Sequence, residues 1–180
     1  MTNESGAKVL DIGNKYIANQ VTIAGIDEMQ RMAMCWHLKQ HIGLSGSPGI
    51  GKTSSIMALG GLFGHDLKTY QENCAEGMKE SRLIARRDLV AKNGGTETVD
   101  TPMVAVLAMR AGAPCYLDEF DQLQFTVQKR FNPALDDRRF IKYGANEIQD
   151  AADGFMLMVS YNDNYKAKGN LEDAVADRIF

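Results

Sequence analysis

The sequence predicts an α/β fold built around a parallel sheet, and three observations predict it. Short apolar runs alternate with stretches of helical periodicity along the chain. One such run, His41 to Ser45, enters a glycine-rich turn that opens a helix. Another, Phe155 to Tyr161, is apolar on both faces, as a central strand covered by helices on both sides must be. The 180 residues suffice for one compact domain, and 44% hydrophobic with 24% charged residues is a globular balance. A core of that size needs no disulfide or metal staple.

The elements follow in order. Residues 26–39 read as a helix, with Met29, Met32, Ala33 and Trp36 at spacings of three and four. A strand from His41 to Ser45 leads through the glycine turn to a helix from Thr53 to Phe63, and Asp66 to Tyr70 reads as the second strand. Residues 78–92 read as a charged helix that turns Leu83, Ile84 and Leu89 inward, broken by Asn93-Gly94-Gly95-Thr96. Thr101 and Pro102 read as an N-cap and a first-turn proline for an apolar helix to Arg110. Pro114 to Asp118 is the third strand, followed by an amphipathic helix ending near Asn132-Pro133. Residues 139–149 read as a hairpin about Tyr143-Gly144-Ala145-Asn146, and Phe155 to Tyr161 is the fourth strand. Asn170 is expected to cap a last short helix, with Asp173 favourable to its dipole.

Charge and cysteine usage narrow the function classes. A net charge of −3 and a pI near 5.6 give no broad basic face for nucleic acid. The polar start, Met1 to Gly6, lacks the pattern of a secretion signal, and no apolar run approaches the roughly 20 residues of a bilayer span. Cys35, Cys74 and Cys115 fit neither a metal knuckle nor a disulfide framework. The expectation is a cytoplasmic protein with no membrane partner. His37, His41 and His65 have no partner at metal spacing and are expected to be surface or packing residues. The ten methionines are expected as core filler, and Lys79, Arg82, Arg86 and Arg87 as a solvated basic helix face.

Chemistry concentrates in four places. Gly46-Ser47-Pro48-Gly49-Ile50-Gly51-Lys52-Thr53, followed by Ser54, is a complete G-x-x-x-x-G-K-T/S phosphate loop. Its glycines let backbone N–H groups close round phosphates, and the helix that follows adds its N-terminal dipole. Lys52 reaches the β/γ-phosphates, and the Thr53 hydroxyl can ligate Mg²⁺. Cys115-Tyr116-Leu117-Asp118-Glu119 is an apolar strand that ends in two carboxylates, the form of a Walker B element. Asp118 would hold Mg²⁺ and Glu119 would polarise the attacking water, which points to a hydrolase. Asn162, just past the apolar strand, could orient the same water. Arg178, in Asp177-Arg178-Ile179-Phe180, is the fourth.

Together these residues resemble the AAA+ ATPases over about residues 41–180. The resemblance implies a P-loop NTPase fold, a three-layer αβα sandwich whose parallel sheet runs 5-1-4-3-2. It implies ATP and Mg²⁺ as cofactors, sensor 1 at Asn162, and at Arg178 an arginine finger that acts on the nucleotide of the neighbouring subunit. Within AAA+ the chain is similar to the MoxR branch, most of all its CbbQ/NirQ/NorQ group. Three stretches carry that: Thr101 to Glu119 with its Cys115-Tyr116-Leu117-Asp118-Glu119 ending, Leu135 to Phe155 with its hairpin, and Ser160-Tyr161-Asn162 through Arg178. That group implies a ring, of hexameric kind, that remodels or activates a target enzyme with a von Willebrand A-domain companion. Sensor 1 there is often Asn-Pro, whereas Asp163 follows Asn162 here. The fifth strand and helical lid of a complete module would fall beyond Phe180, so the expectation is an N-terminal extension over 1–25 and a lidless, truncated core over 26–180. Two rivals share the core: a nucleic-acid motor or helicase loader, disfavoured by the acidic pI, and a nucleotide-dependent scaffold that does not hydrolyse.

Overall fold

The computed structural model describes residues 25–92, 94–162 and 171–179. The N-terminal extension, apart from Gly25, lies outside these residues, as do Asp163 and Asn170.

Asp27 starts helix α1 (Glu28–His37) through a reciprocal capping box: Gln30 N donates to Asp27 Oδ1 at 2.7 Å, and Asp27 N donates to Gln30 Oε1 at 2.9 Å. Strand β1 (Ile42–Ser45) follows, then α2 (Lys52–Leu62) and a short β2 (Gln71–Asn73). After α3 (Glu80–Leu83) come the long strands β3 (Ala85–Lys92) and β4 (Gly95–Pro102) and helix α4 (Val104–Ala111). Strand β5 (Cys115–Asp118) leads to α5 (Phe125–Gln128), α6 (Asn132–Leu135), strands β6 (Phe140–Tyr143) and β7 (Glu147–Asp150), β8 (Leu157–Tyr161) and α7 (Asp173–Ala176).

Four strands form one parallel sheet in the order β1-β8-β5-β2. This is the 1-4-3-2 portion of the expected order, with β8 central as its apolar sequence requires. Alternation along the strands divides the core in two. Tyr116 and Met158 face α1 and α2 with Met29, Met32, Ile42, Ile56 and Leu59. Leu117, Leu157 and Val159 face the other way, onto Val106, Met109, Phe120 and Phe131. The buried methionines among these are core filler.

Local sequence misleads in four stretches. Only residues 80–83 of the expected 78–92 helix are helical; Ala85–Lys92 pairs antiparallel with Gly95–Pro102, from Ala85 opposite Pro102 to Lys92 opposite Gly95. The supposed basic helix face is therefore dispersed. Arg87 pairs with Asp100 across the hairpin at 3.0 Å, Arg86 with Asp88 at 2.9 Å, and Arg82 reaches Glu72 at 3.4 Å. Thr101 and Pro102 end β4 instead of capping a helix, because the Thr101 hydroxyl donates to Asp88 Oδ2 at 2.7 Å; Met103 is the N-cap of α4. Leu67–Tyr70 is a 3₁₀ turn capped by Asp66, and the second strand lies just after it, at polar residues with no apolar alternation to announce them. The helix expected after β5 is a run of short α and 3₁₀ turns, and Pro133 lies inside the first turn of α6, where a missing N–H costs nothing.

The hairpin expected at 139–149 is β6–β7, with Phe140 opposite Asp150 and Tyr143 opposite Glu147. Helix α4 braces it: Arg110 donates to Gln149 Oε1 at 3.0 Å and to the Tyr143 hydroxyl at 3.2 Å. The last helix begins after Glu172, whose N–H is held at 2.8 Å by Oε1 of the buried Gln128. His41 is a packing residue, buried at the start of β1, where its Nδ1 accepts from Leu157 N at 2.9 Å. His37 packs edge-on against Phe63, and His65 lies beside Trp36, which stacks on Phe63 at 4.5 Å.

Candidate nucleotide-binding site

At the carboxyl ends of β1, β5 and β8 the sheet opens into a cleft of about 320 Å³. This is where open α/β sheets place ligands. Gly49, Gly51, Lys52, Thr53 and Ser54 line one wall, and Asp118, Glu119 and Asn162 the other. Gly51 makes the turn into α2 possible: its φ of 96° is a left-handed conformation that a side chain would strain. The first-turn N–H groups of α2, which have no acceptor within the helix, lie at this end.

The Lys52 ammonium donates to three oxygens: Gly46 O at 2.5 Å, Ser47 O at 3.2 Å and Asn162 Oδ1 at 2.9 Å. Pro48 and Ile50 form the exposed crest of the loop. Thr53 Oγ1 donates to Asp118 Oδ2 at 2.9 Å, and the Tyr116 hydroxyl donates to Thr53 Oγ1 at 3.3 Å. The other carboxylate oxygen of Asp118 accepts from the Ser160 hydroxyl and from Glu119 N. Burial raises the Asp118 carboxyl, but hydrogen bonds from Ser160, Thr53, Tyr116 and Glu119 N outweigh it and hold the group below its ordinary value. An ionised carboxylate beside a threonine hydroxyl is a hard oxygen donor set, and it fits Mg²⁺.

Glu119 stands differently. Its backbone is left-handed, with φ 53° and ψ 41°, and its N–H is held at 3.1 Å by both Asp118 Oδ1 and Ser160 Oγ. A non-glycine residue in that conformation costs of order 1 kcal/mol, a strain that concentrates at functional sites. Here it turns the side chain off the strand axis and into the open cleft. Asp121, two residues on, is buried; burial raises its carboxyl, and its Oδ1 has no hydrogen-bond partner among the described residues.

Eight of the residues singled out in the sequence therefore meet in one cleft, and Gly46 and Ser47 join it through Lys52. Arg178 is not among its lining: its Nη1 donates to Ala174 O, and its Nε lies 3.7 Å from Asp136 Oδ2 on the same chain. Sequence reading missed Tyr116, Ser160 and Asp121. The signal for Ser160 was available, as a hydroxyl inside the otherwise apolar run Phe155–Tyr161.

This fold and cleft define a phosphate-loop nucleotide-binding protein. The chain belongs to the AAA domain family, dynein-related subfamily, which matches residues 41–179, and within it to the MoxR branch. It is 36% identical over 124 residues to Protein NorQ of Paracoccus denitrificans, a match covering 68% of this chain and 44% of that protein. It is 31% identical over 142 residues to the denitrification regulatory protein NirQ of Stutzerimonas stutzeri, covering 78% and 49%. Protein CbbQ of Hydrogenophilus thermoluteolus is 27% identical over 161 residues, covering 88% and 58%. The chain spans about half the length of these relatives. A solved structure from Cytophaga hutchinsonii shares the fold with a TM-score of 0.56 at 19% identity, over 83% of this chain and 42% of that one.

Proposed function

We propose that this chain is the Mg²⁺-dependent ATP-hydrolysing core of a ring-forming MoxR-type ATPase that activates a partner protein. The observation that carries the reading is the convergence of Lys52, Thr53, Asp118, Glu119 and Asn162 on one cleft at the sheet's carboxyl edge. Lys52 binds the β/γ-phosphates in exchange for its present acceptors, with the α2 N-terminus behind it. Thr53 and Asp118 hold Mg²⁺, which neutralises charge on the phosphates. Glu119 takes the proton of the attacking water, and Asn162 orients that water. Arg178 serves a neighbouring subunit, after leaving Asp136. The name of the NirQ relatives, a denitrification regulatory protein, favours a regulated enzyme as the target. A hexamer, a von Willebrand A-domain companion and a cytoplasmic location complete the proposal; among the described residues no helix is long and apolar enough to cross a membrane.

Two variants test the reading together. Lys52→Ala is expected to weaken ATP binding at least about hundredfold, because it removes a charge aimed at phosphate. Glu119→Gln is expected to keep binding and lose about 10²- to 10⁴-fold in turnover, since an amide cannot take the proton. Fluorescent-nucleotide titration and phosphate release measure the two. Wild-type affinity in Lys52→Ala, or unchanged turnover in Glu119→Gln, would overturn the proposal.

A further inference from the structure

The Thr53 hydroxyl has one proton and two lone pairs to place. The proton goes to Asp118 Oδ2 at 2.9 Å, and one lone pair receives the Tyr116 hydroxyl at 3.3 Å. One lone pair is left, and a hard cation takes just such an oxygen. A threonine in the first turn of a helix has a competing choice, because its hydroxyl can rotate to a carbonyl one turn back. The contact with Tyr116 opposes that rotation.

Asp118 is held in the same way from its other side. Its Oδ1 accepts from Ser160 Oγ and from Glu119 N, which leaves Oδ2 turned toward Thr53. Ser160 in turn receives Glu119 N at 3.1 Å, so one hydroxyl fixes both the carboxylate and the backbone of the glutamate beside it.

Neither hydroxyl is needed for packing. Tyr116 is fully buried among apolar side chains of α1, α2 and β8, where phenylalanine would fill the same space. Ser160 is fully buried at the end of an apolar strand, where alanine would fit. Burying a hydroxyl costs free energy unless it is hydrogen-bonded, so each needs the partner that it has. Both partners lie in the Thr53–Asp118 pair, whose oxygens suit a divalent cation.

We propose that Tyr116 and Ser160 are positioning residues that hold the Thr53–Asp118 pair ready as a half-site for the divalent cation accompanying the nucleotide. The inference rests on the nucleotide-binding reading above and deepens it. It assigns cation affinity to the hydroxyls of two residues that do not line the cleft.

The test uses the full chain and two probes: Mn²⁺ followed by electron paramagnetic resonance in the presence of ADP, and fluorescent-nucleotide affinity titrated with Mg²⁺ or measured in excess chelator. Tyr116→Phe is expected to raise the half-saturating Mg²⁺ or Mn²⁺ concentration about threefold to tenfold, the worth of one hydrogen bond. Affinity in chelator should stay within about twofold of wild type. Ser160→Ala is expected to do the same, and Ser160→Thr, which keeps the hydroxyl, to restore the cation dependence. A merely structural role would lower affinity equally with and without cation, and that result overturns the proposal. So does an unchanged cation dependence in both variants while the unsubstituted chain binds nucleotide. Failure of the unsubstituted chain to bind nucleotide at any Mg²⁺ concentration overturns the underlying reading as well.

Discussion

The Lys52 ammonium and the Asn162 side-chain amide, 110 residues apart in sequence, meet at 2.9 Å across the mouth of the cleft. With Gly46 O and Ser47 O, Asn162 Oδ1 takes the third proton of that ammonium. A phosphate entering the cleft must replace some of these acceptors, and Asn162 is the one that can turn away without unfolding the loop. Asn162→Ala is therefore expected to change ATP affinity by no more than about threefold, since the acceptor lost is one the phosphate replaces. Turnover should fall at least about tenfold if Asn162 orients the attacking water as proposed, because its amide is gone. Nucleotide titration and phosphate release measure the two. A parallel collapse of both would show that Asn162 holds the loop in shape.

Arg178 and Asp136 give the second prediction. The Arg178 guanidinium lies along its own chain, and Asp136 is held below its ordinary value by Arg138 first and by Arg178 as well. To neutralise charge in a neighbouring site, Arg178 must exchange Asp136 for that site. Hydrolysis per chain should rise with protein concentration, and Arg178→Ala should lose the rise while still binding ATP. Asp136→Ala should move the rise to a concentration about twofold to fivefold lower, the scale of an exposed ion pair. Mixing Arg178→Ala with Glu119→Gln chains is the sharpest measurement, since a mixed interface joins an intact finger to an intact site. Co-assembly without recovered turnover would rule out action across an interface.

The third concerns pH. Burial lowers His41 to about 4, helped by the charge of Arg139. The ring is held neutral by the proton it receives from Leu157 N. Unfolded, the same ring titrates near its ordinary value of about 6.5. Folding thus disfavours the protonated form. The stability His41 confers is full above about pH 6.5 and is lost as pH falls from there toward 4. Between pH 7.5 and pH 5 the loss should be about 2 kcal/mol, read from urea midpoints. His41→Gln should flatten that part of the profile. An equal slope in the variant would place the sensitivity elsewhere.

A fourth joins the two hairpins. Asp100 of β4 accepts from Ala145 N at 3.1 Å while Arg87 grips the same carboxylate. Gly144, at φ 62°, would bring a Cβ within 2.4 Å of Asp100 Oδ2. Gly144→Ala should cost about 1–2 kcal/mol, through the left-handed backbone and the displaced carboxylate. Amide exchange should then speed in both hairpins, at 85–102 and 140–150, while nucleotide affinity stays put. Faster exchange in 140–150 alone would mean that the hairpins are not coupled.

How much of this was legible in advance depended on the range of the interactions. The phosphate loop was legible because Gly51, Lys52 and Thr53 act through local backbone geometry. The β6–β7 hairpin was legible because a glycine-containing turn sits between two short strands. The β3–β4 hairpin was not. Leu83, Ile84 and Leu89 mimic a helical face, and what overrides them is the partner strand, with Asp100 opposite Arg87 and the Thr101 hydroxyl donating diagonally to Asp88. Local propensity is a weak prior against a cross-strand ladder.

By itself the sequence determined the α/β class, the central place of β8 and the identity of the phosphate loop and carboxylate pair. Each of these is a matter of contiguous residues whose spacing has a direct physical meaning. Only the tertiary structure decided that Tyr116 and Ser160 grip Thr53 and Asp118, that Lys52 meets Asn162, and that Arg178 rests on Asp136. Those relationships join residues 42 to 110 positions apart. The contacts at the cleft arise because sheet pairing brings the ends of β1, β5 and β8 side by side, and the Arg178–Asp136 contact because α7 packs on α6; no spacing along the chain encodes either.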